Sequence, residues 1–170
     1  EEEGYNSSEI PELILTHNLF GIDIDDRAAQ LAGFALMMKG RQRQIRFFRK
    51  GITPNITAFQ NIETHPKFEN AKVLGSLIKI TPEEVAEIKI DETSLFIERD
   101  LQLKKQASFL ANKYDVIVTN PPYLNSSLMS DVLKDFISTE YKSTKSDLFS
   151  SFLVQCTNFT SPNGLIGFIA

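Results

Sequence analysis

Tyr114-Asp115-Val116-Ile117-Val118-Thr119-Asn120-Pro121-Pro122-Tyr123 decides how this chain is read. Its strand, Tyr114 to Thr119, is dominated by the β-branched run Val116-Ile117-Val118-Thr119, apolar on both parities as in a parallel strand covered on both faces. The next four cannot extend the ladder. Each proline lacks an N–H and restricts the residue before it, so Asn120 is held extended at the strand's carboxyl end. Ligands bind at that end in open parallel sheets. The tetrapeptide is also rare, arising by chance in roughly one chain in a few thousand of this length.

The loop presents an amide, two carbonyl groups and an aromatic face, a set suited to holding a planar amine with its lone pair aimed at an electrophile. The Asn120 side-chain oxygen and the Pro121 carbonyl each accept a hydrogen from an exocyclic NH2, while Tyr123 stacks on the attached ring. Both acceptors favour positive charge building on nitrogen, so the effect is electrostatic and positional. The bland alternative is a Pro-Pro turn whose Asn caps backbone groups.

Outward from this centre, strands alternate with helices. Asn18 to Ile24 reads as a strand ending in acids, and Arg27 to Met38 as a helix with Asp25 or Asp26 as its N-cap. Pro54-Asn55 marks a turn before a strand at 56–59. Residues 62–98 read as an insertion with short helices near 69–79 and 82–88. An amphipathic helix is predicted over 99–113, and further helices at 126–138 and 147–159. Ser161-Pro162-Asn163-Gly164 turns the chain into a last apolar strand, Leu165 to Ile169. The pattern predicts an α/β fold with a mostly parallel sheet, flanking helices and right-handed crossovers.

Composition narrows the class. With 170 residues, 42% apolar and 24% charged, the chain affords one compact core, which excludes disorder, collagen and coiled coil. No run reaches the roughly 18 apolar residues of a membrane span, and Glu1-Glu2-Glu3 is unlike a signal peptide. A cytoplasmic protein without membrane partners is expected. Cys156 is the single cysteine, and His17 and His65 are isolated, so no metal site is expected. A net charge of -4 gives no global pull on nucleic acid. The run Lys39 to Lys50 holds six basic residues around Phe47 and Phe48, read either as a phosphate-contacting patch or as a solvated helix end. The start at Glu1 and the apolar end Gly164 to Ala170 read as a fragment of a larger protein.

Residues 115–123 resemble the catalytic motif of S-adenosylmethionine-dependent amino-methyltransferases, above all the DNA adenine-N6 enzymes. The resemblance implies a Rossmann-like methyltransferase fold and catalytic roles for Asn120, Pro121, Pro122 and Tyr123, with Asn120 also facing the cofactor, S-adenosyl-L-methionine. Phe20-Gly21-Ile22-Asp23-Ile24-Asp25 is similar to the second motif, which implies that Asp23 binds the ribose hydroxyls and Ile24 packs on the cofactor's adenine; Asp25 is the rival acid. Asp147-Leu148-Phe149-Ser150-Ser151-Phe152-Leu153 is similar to the next motif, implying that Phe152 touches that adenine and Asp147 sits near the catalytic loop. A Phe stripe at helical spacing is also the signature of ordinary core. Asn163 to Ala170 resembles the structural Gly-Gly strand that follows.

With Ala28-Ala29-Gln30-Leu31-Ala32 and Ala35-Leu36-Met37-Met38-Lys39, the second-motif region most resembles the large PglX-type adenine methyltransferases of BREX phage-defence systems. Type I modification subunits and fused type II restriction-methylation enzymes are near alternatives. Double-stranded DNA with a flipped adenine is the implied partner, together with other subunits of a defence system. Three departures stand out. The glycine-rich first motif and the target-recognition domain have no match here, so the chain is expected to be part of a catalytic domain and inactive alone. The third motif usually supplies an Asp, whereas Ala58-Phe59-Gln60-Asn61 leaves the contact to the cofactor's adenine edge to Gln60 or Asn61, or leaves it missing. Competing functions are protein-glutamine or RNA amino-methyl transfer, and a non-catalytic module that keeps the fold to bind DNA or a partner.

Overall fold

The computed structural model describes residues 4–169; the acidic start Glu1–Glu3 and Ala170, the end of the expected apolar stretch, lie outside them. The chain divides into two compact units, one up to Phe59 and one from Gln60 onward.

In the first unit α1 (Ile10–Leu13) continues into a π-helical turn over Ile14–Asn18, so Asn18 does not join the strand as expected and β1 is Phe20–Asp23. Asp25 is extended, and its carboxylate accepts from the backbone N–H groups of Arg27 and Ala28 at 2.7 and 3.3 Å. That cap satisfies two of the helix's orphan donors and starts α2 (Asp26–Arg43). The helix runs five residues beyond the expected Met38 because Lys39, Arg41, Gln42 and Arg43 are strong helix formers. Gly40 is needed within it. A Cβ there would lie 2.6 Å from the ring of Phe47, which is fully buried. β2 (Asn55–Ala58) then pairs parallel to β1, with Phe20 opposite Asn55 and Asp23 opposite Ala58. Leu15, Ala29, Phe47 and Phe59 are the buried apolar side chains here.

The second unit opens with short helices. A single helix over 69–79 does not form: α3 is Ala71–Leu74, and Gly75 at φ 54°, ψ -137° diverts the chain into a 3-10 turn over Gly75–Leu77. α4 (Pro82–Glu87) starts from a capping box, in which the Thr81 hydroxyl accepts from Glu84 N–H and the Glu84 carboxylate from Thr81 N–H. α5 is Ile97–Ala111, with Leu103, Ala107 and Leu110 buried on one stripe. β3 is Tyr114–Thr119 as read from sequence. α6 covers Asp131–Glu140 and not 126–138, because the Ser130 hydroxyl takes the Leu133 N–H and so fixes the start five residues later. α7 (Leu148–Phe159) leads into β4 (Thr160–Phe168), which runs parallel to β3.

Three expectations about the sheet are corrected. The described residues form two separate two-stranded parallel sheets, β1–β2 and β3–β4, instead of one. Each strand finds its only partner through its own helical crossover. β4 begins at Thr160 and not Leu165, and the predicted turn is a bulge inside it: Tyr114 pairs with Thr160 but Val116 with Leu165. Asn163 adopts φ 72° there, and a Cβ on Gly164 would come 2.9 Å from the Asp115 carbonyl oxygen. Finally, β3 is not covered on both faces. α7 covers the face of Ile117 and Thr119, with Phe149 5.4 Å from Phe168 of β4 on that side. Val116 and Val118 on the other face are 62% and 74% exposed, and Leu165 beside them is also exposed. Apolarity on both parities reports what a strand can bury, not what this stretch of chain supplies to bury it.

Candidate active site

Asn120-Pro121-Pro122-Tyr123 leaves the carboxyl end of β3 as a loop anchored by one proline. Pro121 is fully buried, while Asn120, Pro122 and Tyr123 face solvent. Among the described residues nothing hydrogen-bonds the Asn120 side-chain amide. The segment that follows is stapled to the start of α7: Leu148 N–H donates to the Leu124 carbonyl at 3.2 Å, Ser126 N–H to the Ser146 carbonyl at 3.3 Å, and Asn125 bridges Asp147. Asp147 in turn caps α7, accepting from the N–H groups of Phe149 and Ser150 and from the Ser150 hydroxyl. The Ser150 hydroxyl above all, with those two backbone donors, holds its carboxyl below the usual range. One charged group thus starts the helix and borders the loop.

Tyr123 is held from two directions. Its hydroxyl donates to the Ile169 carbonyl at 2.6 Å, just past β4. Its ring lies nearly parallel to that of Phe149, with centroids 6.0 Å apart and planes 15° off. The side chain remains 62% exposed, so the ring face away from Phe149 is open. Phe152, one turn further along α7, is half-buried.

Gln60 and Asn61 begin the second unit and differ in availability. The Gln60 backbone is clamped by a fully buried side chain: Gln106 Oε1 accepts its N–H and Gln106 Nε2 donates to its carbonyl, both at 3.0 Å. Asn61 is exposed, but its Oδ1 accepts the Lys72 N–H at 2.9 Å and so holds the turn before α3. Deeper in this unit the Tyr141 hydroxyl lies 2.7 Å from the Leu77 carbonyl and 2.8 Å from Gln155 Oε1, and burial pushes it well above a normal phenol. Cys156 is buried on α7, and desolvation raises its thiol.

In the first unit Asp23 ends β1 with its carboxylate exposed; Oδ1 accepts the Asp25 N–H at 2.8 Å and the other oxygen is free among the described residues. Ile24 beside it is exposed. Asp25 is occupied in capping α2, which leaves Asp23 as the acid with spare acceptor capacity. The basic run spans the end of α2 and a 3-10 turn over Phe47–Lys50. Phe47 is core, and Lys50 pairs with Glu12 at 2.6 Å. A cavity of about 600 Å³ lined by Ile10, Ile14, Leu15, Leu36 and, from the basic run, Lys39 and Arg43 lies between α1 and α2 and contains none of the expected catalytic or cofactor-binding residues. Among the described residues no group of His, Cys, Asp or Glu is placed to hold a metal, and no helix is long and apolar enough to cross a membrane.

Two residues with roles here escaped the sequence reading. Gln106 occupies a polar position on the apolar stripe of Leu103, Ala107 and Leu110, a pattern that marks a buried amide with a backbone to satisfy. Phe149 lay within the quoted motif at 147–153, but only Asp147 and Phe152 were given roles there.

The sequence of the chain as a whole has known relatives. It is 33% identical over 221 residues to the adenine-specific methyltransferase BrxX of Escherichia coli O9:H4 (strain HS), an alignment covering 96% of this chain and 18% of that protein. It is 31% identical over 207 residues to the adenine-specific methyltransferase PglX of Lacticaseibacillus casei (strain Zhang), covering 99% of this chain and 17% of the relative. The chain thus spans under a fifth of the length of these curated relatives. The model of the Eco57I restriction-modification methylase family matches residues 17–170, and the chain belongs to that family.

Proposed function

We propose that the chain forms part of the catalytic domain, Rossmann-like in fold, of an enzyme that transfers a methyl group from S-adenosyl-L-methionine to the N6 amine of adenine in DNA. Residues 62–98 are an insertion in that domain, and the enzyme serves phage defence or restriction-modification in the cytoplasm. The observation that carries the reading is the Asn120–Tyr123 loop, with Pro121 buried as its anchor and the Asn120 amide exposed without a partner. Both relatives are named adenine-specific methyltransferases, which supports it.

Within the first unit the residues fit the cofactor's nucleoside end: the free oxygen of Asp23 suits a ribose diol and exposed Ile24 suits the face of a purine. Within the second unit, Gln60, Asn61, Asn120 and half-buried Phe152 are carried over from the family's motifs as cofactor contacts. When bound, S-adenosylmethionine supplies a methyl group on a sulfonium. Asn120 Oδ1 and the Pro121 carbonyl accept the two N6 hydrogens of an extruded adenine and turn the nitrogen lone pair out of conjugation with the ring. They would stabilise positive charge on N6 as the N–C bond forms and the methyl C–S bond breaks to leave a neutral thioether, and the surplus proton would then leave to water. Tyr123 stacks on the base.

The test is incubation of the intact protein with labelled S-adenosylmethionine and DNA, followed by digestion to nucleosides and mass spectrometry. N6-methyladenine that disappears in Asn120→Ala is the expected result. Undiminished methylation by Asn120→Ala overturns the catalytic assignment. Cofactor binding with no methylated DNA moves the substrate to protein or RNA.

A further inference from the structure

We propose that Phe149 is a positioning residue for the target base, acting through Tyr123. This rests on the reading of Tyr123 as the stacking surface for that base. A lone exposed tyrosine on a loop samples several rotamers, and any base stacked on it must first immobilise it. Tyr123 escapes that cost. The Phe149 ring lies behind it at 6.0 Å and 15°, and the Ile169 carbonyl takes its hydroxyl at 2.6 Å.

The backing ring is itself braced. Phe149 also lies 5.4 Å from Phe168 with the planes tilted by 52°, and its backbone N–H is fixed by Asp147, the residue that also bridges Asn125 of the loop. Phe168 thus braces Phe149 at an angle, Phe149 lies parallel to Tyr123, and the next free place is the exposed ring of Tyr123. A purine ring is the chemistry that completes it: flat, electron-poor at its edge, and needing a partner once it has left the helix.

A surface that is set before the base arrives binds the base equally in the ground and transition states. Losing it raises KM for DNA and leaves kcat at saturating DNA nearly unchanged. In the intact protein, Phe149→Leu keeps the bulk and removes the plane, while Phe149→Tyr restores it. We expect Phe149→Leu to raise KM for DNA about three- to tenfold, the range of one aromatic pair. The fluorescence rise of a 2-aminopurine placed at the methylated position should fall with it. The melting temperature and the dissociation constant for S-adenosylmethionine should hold, and Phe149→Tyr should return both altered readouts to wild type. Tyr123→Phe, which removes only the hydroxyl anchor, should move them the same way.

Unchanged 2-aminopurine signal and KM in Phe149→Leu overturn the positioning role. So does a Phe149→Tyr variant that is folded and still defective. If Asn120→Ala is dead while Phe149→Leu behaves as wild type, this inference fails and the proposed function stands; if Asn120→Ala retains full turnover, the proposed function itself falls.

Discussion

Asn120 and Gln106 are opposite kinds of polar residue, and their substitutions should separate cleanly. Asn120 is exposed and unpartnered, so Asn120→Ala should abolish methyl transfer while shifting the melting temperature hardly at all, read by mass spectrometry and calorimetry. Gln106 is fully buried and satisfies two backbone groups of Gln60, so Gln106→Leu should cost about 1–3 kcal/mol in urea denaturation by leaving both unpaired. Asp147 adds a dependence on pH. Its carboxyl is held low in the folded chain, chiefly by the Ser150 hydroxyl, so its stabilisation is present above the ordinary carboxylate pKa and is lost as pH falls through the depressed value. The stability gap between wild type and Asp147→Ala, about 1 kcal/mol for a lost cap, should therefore stay level from pH 7 to about 5 and close in stronger acid. The positions of Asn120, Tyr123 and Asp23 at or just past strand ends were legible because prolines or a strand end fix where they stand. Gln106 and Phe149 were not, because what defines them is a partner 46 residues away in one case and a ring across a loop in the other.

At the scale of elements, local chemistry settled most starts and tertiary packing settled the stops. Asp25, Thr81, Ser130 and Asp147 each cap the helix that follows, and caps are written in the residues beside them. The end of α2 lies five residues past the expected Met38 because the apolar spacing stops there while the helix runs on through Gly40. In the structure it is the seat of the Phe47 ring. This gives an inverted expectation: Gly40→Ala raises helix propensity by about 1 kcal/mol, yet overpacking against a buried ring should make the variant less stable by about 1–3 kcal/mol net, measurable by urea denaturation. Within 62–98 the helix expected near 82–88 forms at Pro82–Glu87, whereas 69–79 resisted reading because its elements are shorter than the three or four turns that make periodicity visible. The last strand misled for another reason, since its turn residues form a bulge and do not end the pairing.

For the whole chain, two compact units with separate parallel strand pairs place the weak points in the connections within them. The junction after Phe59 is tied on each side, by Phe59 N–H to the Asp23 carbonyl and by the Gln106 clamp on Gln60. The stretch between α4 and α5 is not tied in this way: Leu95 is 98% exposed and Phe96 also faces water. Brief chymotrypsin treatment should cut there first, after Leu95 or Phe96, which mass spectrometry of the fragments would show. Cleavage after Phe59 as the first event would contradict this picture. Cys156 offers a last consequence. It is the chain's sole cysteine, buried on α7 with its thiol pushed up by desolvation, so it is inert to alkylating reagents while the second unit is closed. The chain thus carries a built-in clock without any engineered label: the rate at which a maleimide reacts at neutral pH counts the openings of that unit, and a ligand that steadies it should slow the count.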